Sequence, residues 1–264
     1  MAAFAYMFYP GSCFLIANYP TSLMNLLAII SILCMVKNKN WAAAVIAGIG
    51  TAAGPLMAVL GLSAIFKMIK ETAADKKMPT GRKILKIIIS APAMGLLSLS
   101  GFLIFAAYQW HTFNDPLASS QVQAAWGQTD FNIRIINLVT LKSVFYPAFL
   151  KYLYLTSSKI CGLETAFNGI IFFFALFLVW AQRKLLPFYL TLFSLLSVLG
   201  YDWLLATIQG PATAIRHLYL VVPAFLGLGP ILEKRPLLAD ALMVILPPLL
   251  LLQSALFITG NYVL

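Results

Sequence analysis

The sequence predicts an all-α, polytopic helical membrane protein, and three observations carry that expectation. The 264 residues are 61% hydrophobic and 10% charged, with a mean hydropathy of +0.90. Repeated apolar runs approach or exceed the roughly 20 residues that a helix needs to cross a bilayer. The eighteen basic residues stand in short clusters between those runs, as they do in cytoplasmic loops. A soluble core of this size could not hide so much apolar surface. A transmembrane barrel would alternate polar and apolar positions, which Ile170–Trp180 (IIFFFALFLVW) does not. One transmembrane domain is expected over residues 1–264.

The formal net charge of +10 excludes little by itself, but its distribution between apolar spans argues for a lipid surface and against nucleic acid. Cys13, Cys34 and Cys161 are widely spaced and read as small core residues, without metal-binding spacing. No cofactor is expected, although the sequence leaves a divalent metal open. Met1–Ala17 lacks basic residues ahead of its apolar stretch, so no secretory leader is expected there.

Along the chain, Ala2–Ala17 is apolar but interrupted by Pro10-Gly11, the weakest candidate span. Pro20, in the polar knuckle Asn18–Ser22, suits the start of the next helix, which runs through Leu23–Val36 to Lys37 and Lys39. Trp41–Ile69 has basic residues at both ends and Gly48, Gly50, Gly54 and Pro55 in its middle. A single crossing would split the two basic clusters between opposite sides, so a pair of short helices that enters and returns fits better, with one kinked span as the alternative. Residues 67–86 form the most basic loop and are assigned to the cytoplasm. Ile87–Tyr108 then crosses outward, with Pro92 and Gly95 as a kink.

Gln109–Asn132 (QWHTFNDPLASSQVQAAWGQTDFN) is a polar island and is expected as an external loop. Ile133–Tyr154 mixes apolar residues with Arg134, Lys142 and Lys151, a pattern of interfacial helices. Crossings follow at Thr165–Gln182, Leu185–Leu205, Leu218–Leu232 and Leu237–Ile258, with Thr207–Ala214 as a second external loop. Under this scheme the strong basic clusters at 37–39, 67–86, 183–184 and 234–235 all fall inside.

The scheme gathers the polar stretches 18–22, 109–132 and 207–217 on the external face. Asp115, before Pro116, reads as a turn or capping residue and also as a carboxylate at headgroup height. Gln123 and Trp126 fall at helical spacing, with Trp126 either an interfacial anchor or a sugar-stacking ring. Arg216 could clamp a phosphate with its two-pronged guanidinium or anchor to a headgroup. His217 is either its titrating neighbour or structural. Asp202 lies in an apolar stretch where a charge is costly, and Arg216 is its candidate partner. No Walker loop, HExxH, dinucleotide fingerprint or GxSxG occurs.

Phe113-Asn114-Asp115-Pro116-Leu117-Ala118, followed by Gln121–Gly127, resembles the external loop of the GPI-anchor mannosyltransferases that add the second mannose, and of their bacterial homologues. Tyr9–Phe14, Asn18–Leu23 and Ile215–Pro223 resemble further segments of that family in the same order. The resemblance implies a GT-C-like bundle with broken and interfacial helices, embedded in a bacterial plasma membrane or an endoplasmic-reticulum membrane. It implies an inverting transfer from a polyprenyl-phosphate-linked sugar to a lipid or glycan acceptor outside the cytoplasm. Asp115, Gln123, Trp126, Arg216 and His217 would bind substrate.

The family's presumed catalytic Asp lies upstream of the segments matched here, so this chain is expected to be the C-terminal portion of a larger GT-C-type fold. An acid of the family is replaced at Thr21-Ser22, and an arginine at Thr51–Gly54. These departures leave open an enzyme that is inactive alone, a non-catalytic subunit working beside a second membrane chain, and, more remotely, a transporter.

Overall fold

The computed structural model describes residues 1–13, 20–119, 173–204, 206–207, 210–211 and 221–258. These residues are mostly helical. The one strand pairing among them is a two-residue antiparallel ladder of β1 (Ala206–Thr207) with β2 (Gly210–Pro211). The chain divides into two compact units, one of Met1–Tyr19, Ser119–Leu186 and Ser194–Leu264, the other of Pro20–Ala118 and Pro187–Phe193. The interfacial helices expected over Ile133–Tyr154 lie outside the described residues.

The second unit is a run of helices, each folded back on the last. Helix α2 (Thr21–Val36) begins directly after Pro20, whose fixed φ suits a helix start. It ends at Val36, and Asn38, two residues on, takes the left-handed conformation (φ 59°) that Asn tolerates. There Lys39 N–H donates to the Cys34 carbonyl at 2.8 Å, closing a tight turn into α3 (Asn40–Ala53). Helix α3 stops at Gly54 because the next residue is Pro55, which disfavours helical backbone in the residue before it. A single 3-10 turn, Pro55–Met57, leads into α4 (Ala58–Ala74). The stretch read as two short helices is therefore two helices. They pack antiparallel, with Gly50 against Met57 at the break and Asn40 beside Glu71 at the far end.

Helix α5 (Thr80–Phe113) is continuous over 34 residues, with Pro92 inside it. Its packing against α3 depends on missing side chains. A Cβ at Gly101 would run into the Gly48 carbonyl and the Ala52 backbone. One at Gly48 would meet the Leu97 carbonyl, and one at Gly61 of α4 would meet the Ser98 side chain. Small residues thus let the backbones touch, as they do between helices in lipid. At the same contact Phe102 N–H donates to Thr51 Oγ1 at 3.1 Å, and that hydroxyl donates to the Gly48 carbonyl at 2.6 Å. The last turns of α5, from Leu103 on, run past the end of α3.

In the first unit, α1 (Ala2–Met7) is cut short ahead of Pro10-Gly11, where a 3-10 turn follows. Tyr6 and, just beyond the helix, Tyr9 stand edge-on to the Phe225 ring of α8 (Val222–Glu233), at 5.3 and 5.6 Å between centroids. Leu178 of α6 (Phe173–Gln182), Val198 of α7 (Phe188–Leu204) and Ala239 of α9 (Pro236–Ile258) join the same buried cluster. Helix α7 begins in the other unit and continues into this one. Gln182 is buried and donates to the Ala224 carbonyl, over the gap left by Gly227.

Two helices are long and apolar enough to cross a membrane, Thr80–Phe113 and Pro236–Ala255, and only 17% and 11% of their most apolar windows are buried. The uncharged stretch Ile87–Tyr108 measures roughly 33 Å along the helix, close to the ~30 Å hydrocarbon core. Ile88, Ile89, Leu96 and Ile104 on α5 are each at least 60% exposed and form an apolar stripe along the helix.

The glycines of α5 give a paired test. A Cβ added at Gly81 would meet nothing within 4 Å, whereas one added at Gly101 would strike backbone. Gly81→Ala should raise thermal stability in detergent by up to about 1 kcal/mol, since Ala forms helix better than Gly. Gly101→Ala should lower it by about 1–3 kcal/mol through overpacking. Equal shifts would contradict the close approach of α3 and α5.

Candidate functional site

Polar chemistry in the Pro20–Ala118 unit collects at its two ends. One end is built where α5 stops. Helix α5 carries Tyr108, Trp110 and Phe113 on its surface near its C-terminus, with His111 in the last turn. Asn114 takes the left-handed conformation (φ 57°) and its N–H donates to the Trp110 carbonyl at 2.9 Å, terminating the helix.

The polar island therefore opens as helix. Gln109–Phe113 complete α5, and the loop begins only at Asn114. Periodicity missed this because Gln, His and Thr read as polar interruption, although the helix needs only backbone bonds there. Asp115 Oδ1 accepts the Leu117 N–H at 2.8 Å and the Asp115 carbonyl faces the Ala118 N–H at 3.4 Å, a turn built by the aspartate on both sides of Pro116. Asp115 is half-buried, and its Oδ2 has no partner among the described residues. Gln123, Trp126, Arg216 and His217 lie outside the described residues. Asp202 falls within α7.

The opposite end holds a cluster that the sequence reading did not single out. Lys67 is 7% exposed. Its ammonium donates to Asn38 Oδ1 at 2.7 Å and Asn40 Oδ1 at 3.3 Å, and pairs with Glu71 Oε1 at 2.7 Å. Asn40 Nδ2 closes the ring by donating to Glu71 Oε2 at 2.6 Å. All three ammonium protons thus have an oxygen, which is the condition for burying a lysine without prohibitive cost. The Tyr189 ring lies 5.4 Å from the same nitrogen. The readable signal was local: Lys67 and Glu71 sit one helical turn apart on an apolar helix, and two asparagines flank Lys39 in the turn before α3.

This end also gathers charge. Lys37 and Lys39 flank the α2–α3 turn, Lys70 stands at the end of α4, and Lys83 donates to the Ala73 carbonyl at 3.0 Å. Lys86 shares a cleft of about 320 Å³ with Asn38, Trp41, Glu71 and Asp75. Nine of the eighteen cations of the chain lie in residues 37–86, and all of them belong to this end. Asp115 stands at the other. Among the described residues no three His, Cys, Asp or Glu side chains come together as a metal group.

Comparison of the chain with protein-family models, curated proteins and solved structures finds no match.

The Lys67 ring makes a stability prediction. Glu71→Ala leaves the buried ammonium with two neutral oxygens, and should cost about 1–2 kcal/mol, less than a fully buried pair because Glu71 is 44% exposed. Replacing both partners together, Lys67→Met with Glu71→Leu, should recover much of that loss in thermal unfolding. A double variant less stable than Glu71→Ala would contradict the account.

Proposed function

We propose that the chain is a multi-pass membrane protein of the GT-C glycosyltransferase kind, moving a sugar, mannose in the first instance, from a polyprenyl-phosphate donor to an acceptor outside the cytoplasm. The observation that carries this reading is the run Phe113–Ala118, whose Asp115 stands in a fixed turn directly past the end of a membrane-length helix. Charge supports the orientation: cytoplasmic ends of membrane helices are enriched in Lys and Arg, and the nine cations of residues 37–86 lie at the end away from Asp115. On the resemblance, Asp115, Gln123, Trp126, Arg216 and His217 are the candidate substrate-binding residues, with Arg216 the candidate for phosphate. A carboxylate left with a free oxygen can orient or deprotonate a sugar hydroxyl, and a guanidinium matches two phosphate oxygens at once.

The neutral residues at Thr21-Ser22 and Thr51–Gly54 favour a second reading. There the same fold serves as a non-catalytic membrane subunit, with the acid supplied by a partner chain. The two readings separate on one measurement. Membranes containing the chain alone should transfer sugar from the polyprenyl-phosphate donor under the first, and only together with the partner chain under the second.

Orientation is tested by labelling single cysteines, in a background without Cys13, Cys34 and Cys161, with a membrane-impermeant thiol reagent on intact cells. Ala118→Cys should react and Lys77→Cys should react only after lysis. Labelling of both from the same side would sink the topology. For the site, Arg216→Ala should weaken binding of a polyprenyl-phosphate sugar by roughly 30-fold or more, the cost of losing a charged phosphate contact. Asp115→Asn should lower transfer about 100-fold where the carboxylate handles a proton. Unchanged donor binding in Arg216→Ala would reject the assignment.

A further inference from the structure

We propose that a cleft at the basic end of the Pro20–Ala118 unit holds the headgroup of an anionic phospholipid, with Lys70 as its principal contact. The proposal rests on the membrane reading above but not on the transfer reaction. The cleft has a volume of about 340 Å³ and lies between the end of α4 and the first turn of α7; Lys67, Lys70 and Glu71 line it together with Phe66, Ala74, Pro187, Phe188 and Tyr189.

Its charge is unbalanced in a specific way. Lys67 has given all its protons to Asn38, Asn40 and Glu71, and both Glu71 oxygens are engaged by Lys67 and Asn40. Lys70, three residues on along the same helix, is exposed and has no ion pair with any described carboxylate; its ammonium lies 5.8 Å from the Phe188 ring centroid. Apart from the mutually paired Lys67 and Glu71, the remaining walls are aromatic and aliphatic. A cation without a counter-charge, set among apolar walls, is complementary to one molecule that carries an anion and hydrocarbon together. A free phosphate would satisfy Lys70 and leave Phe66 and Phe188 uncovered. A zwitterionic headgroup would bring its own cation to a place that already has one. Basic sites between helices on the cytoplasmic side of membrane proteins suit anionic headgroups for these reasons.

The test uses the full chain in bilayer nanodiscs made from equal parts phosphatidylglycerol and phosphatidylcholine, released for native mass spectrometry. The expected result is selective retention of phosphatidylglycerol, reduced about fivefold in Lys70→Gln, the loss of one lysine–phosphate contact. Lys77→Gln, which alters a cation outside the cleft, should retain the lipid as the native chain does. Equal retention of phosphatidylcholine, no change in Lys70→Gln, an equal loss in Lys77→Gln, or displacement of the lipid by inorganic phosphate would each overturn the site. A chain that fails to enter the bilayer and carries no phospholipid would instead overturn the membrane reading, and the site with it.

Discussion

The arrangement of the Pro20–Ala118 unit depends on the contact between the backbones of α3 and α5. Apolar side chains facing lipid gain nothing by facing each other, so helices associate where backbones can approach and polar groups can bond across. Gly48 and Gly101 provide the approach, and the Thr51 hydroxyl provides the bond by bridging the Gly48 carbonyl and the Phe102 amide. Helix α3 is the element that needs this most. It is short, rich in Ala and Gly, and ends in extended backbone at Gly54, where carbonyls lose their helical partners. Other helices cover this segment, and Ala43, Ala44, Ala47 and Gly48 are buried.

The Lys67 ring does at one end of the α3–α4 hairpin what the glycine contact does along its length. A hairpin broken at Gly54 could slide, because Ala and Gly offer little that specifies register. Asn40 bonded to Glu71, and Lys67 bonded to Asn38 and Asn40, fix the start of α3 against the end of α4. Lys67 is thereby removed from the pool of cations that face outward. Lys70, three residues on, is exposed, and its ammonium lies 5.8 Å from the Phe188 ring centroid. Two lysines three residues apart thus differ: Lys67 is held in the ring, and Lys70 is left exposed.

Much of this fold was legible in the sequence for physical reasons. Pro20, the Lys37–Asn40 turn and Gly54-Pro55 are backbone signals, and each falls where a helix begins or ends. Helix α5 was marked by an uncharged stretch of membrane length after a basic loop. Its true end was not legible, since a helix runs on through Gln109, Trp110 and His111 without any apolar period to announce it. The Lys67 ring was hidden for the opposite reason. Lys67 sits in a basic cluster, and composition assigns every cation in such a cluster to solvent, whereas only tertiary contact with Asn38 and Asn40 distinguishes it from Lys70. At the candidate site, Asp115-Pro116 was legible as a turn.

Asp115 shows why a structural explanation of a residue need not exhaust it. Its Oδ1 is fully accounted for by the Leu117 amide, and that bond, with Pro116 fixing the chain beside it, explains an aspartate in this turn. An asparagine would serve the turn equally well, because its Oδ1 accepts the same hydrogen bond. The charge and the second oxygen are not explained by the turn. They stand past the end of α5, where Trp110 and Phe113 mark an aromatic boundary and no described cation neutralises them. The turn holds the carboxylate in one orientation and leaves its second oxygen without a described partner. The turn thus accounts for the position of Asp115, and the proposed substrate-binding role would draw on the second oxygen that the turn does not use.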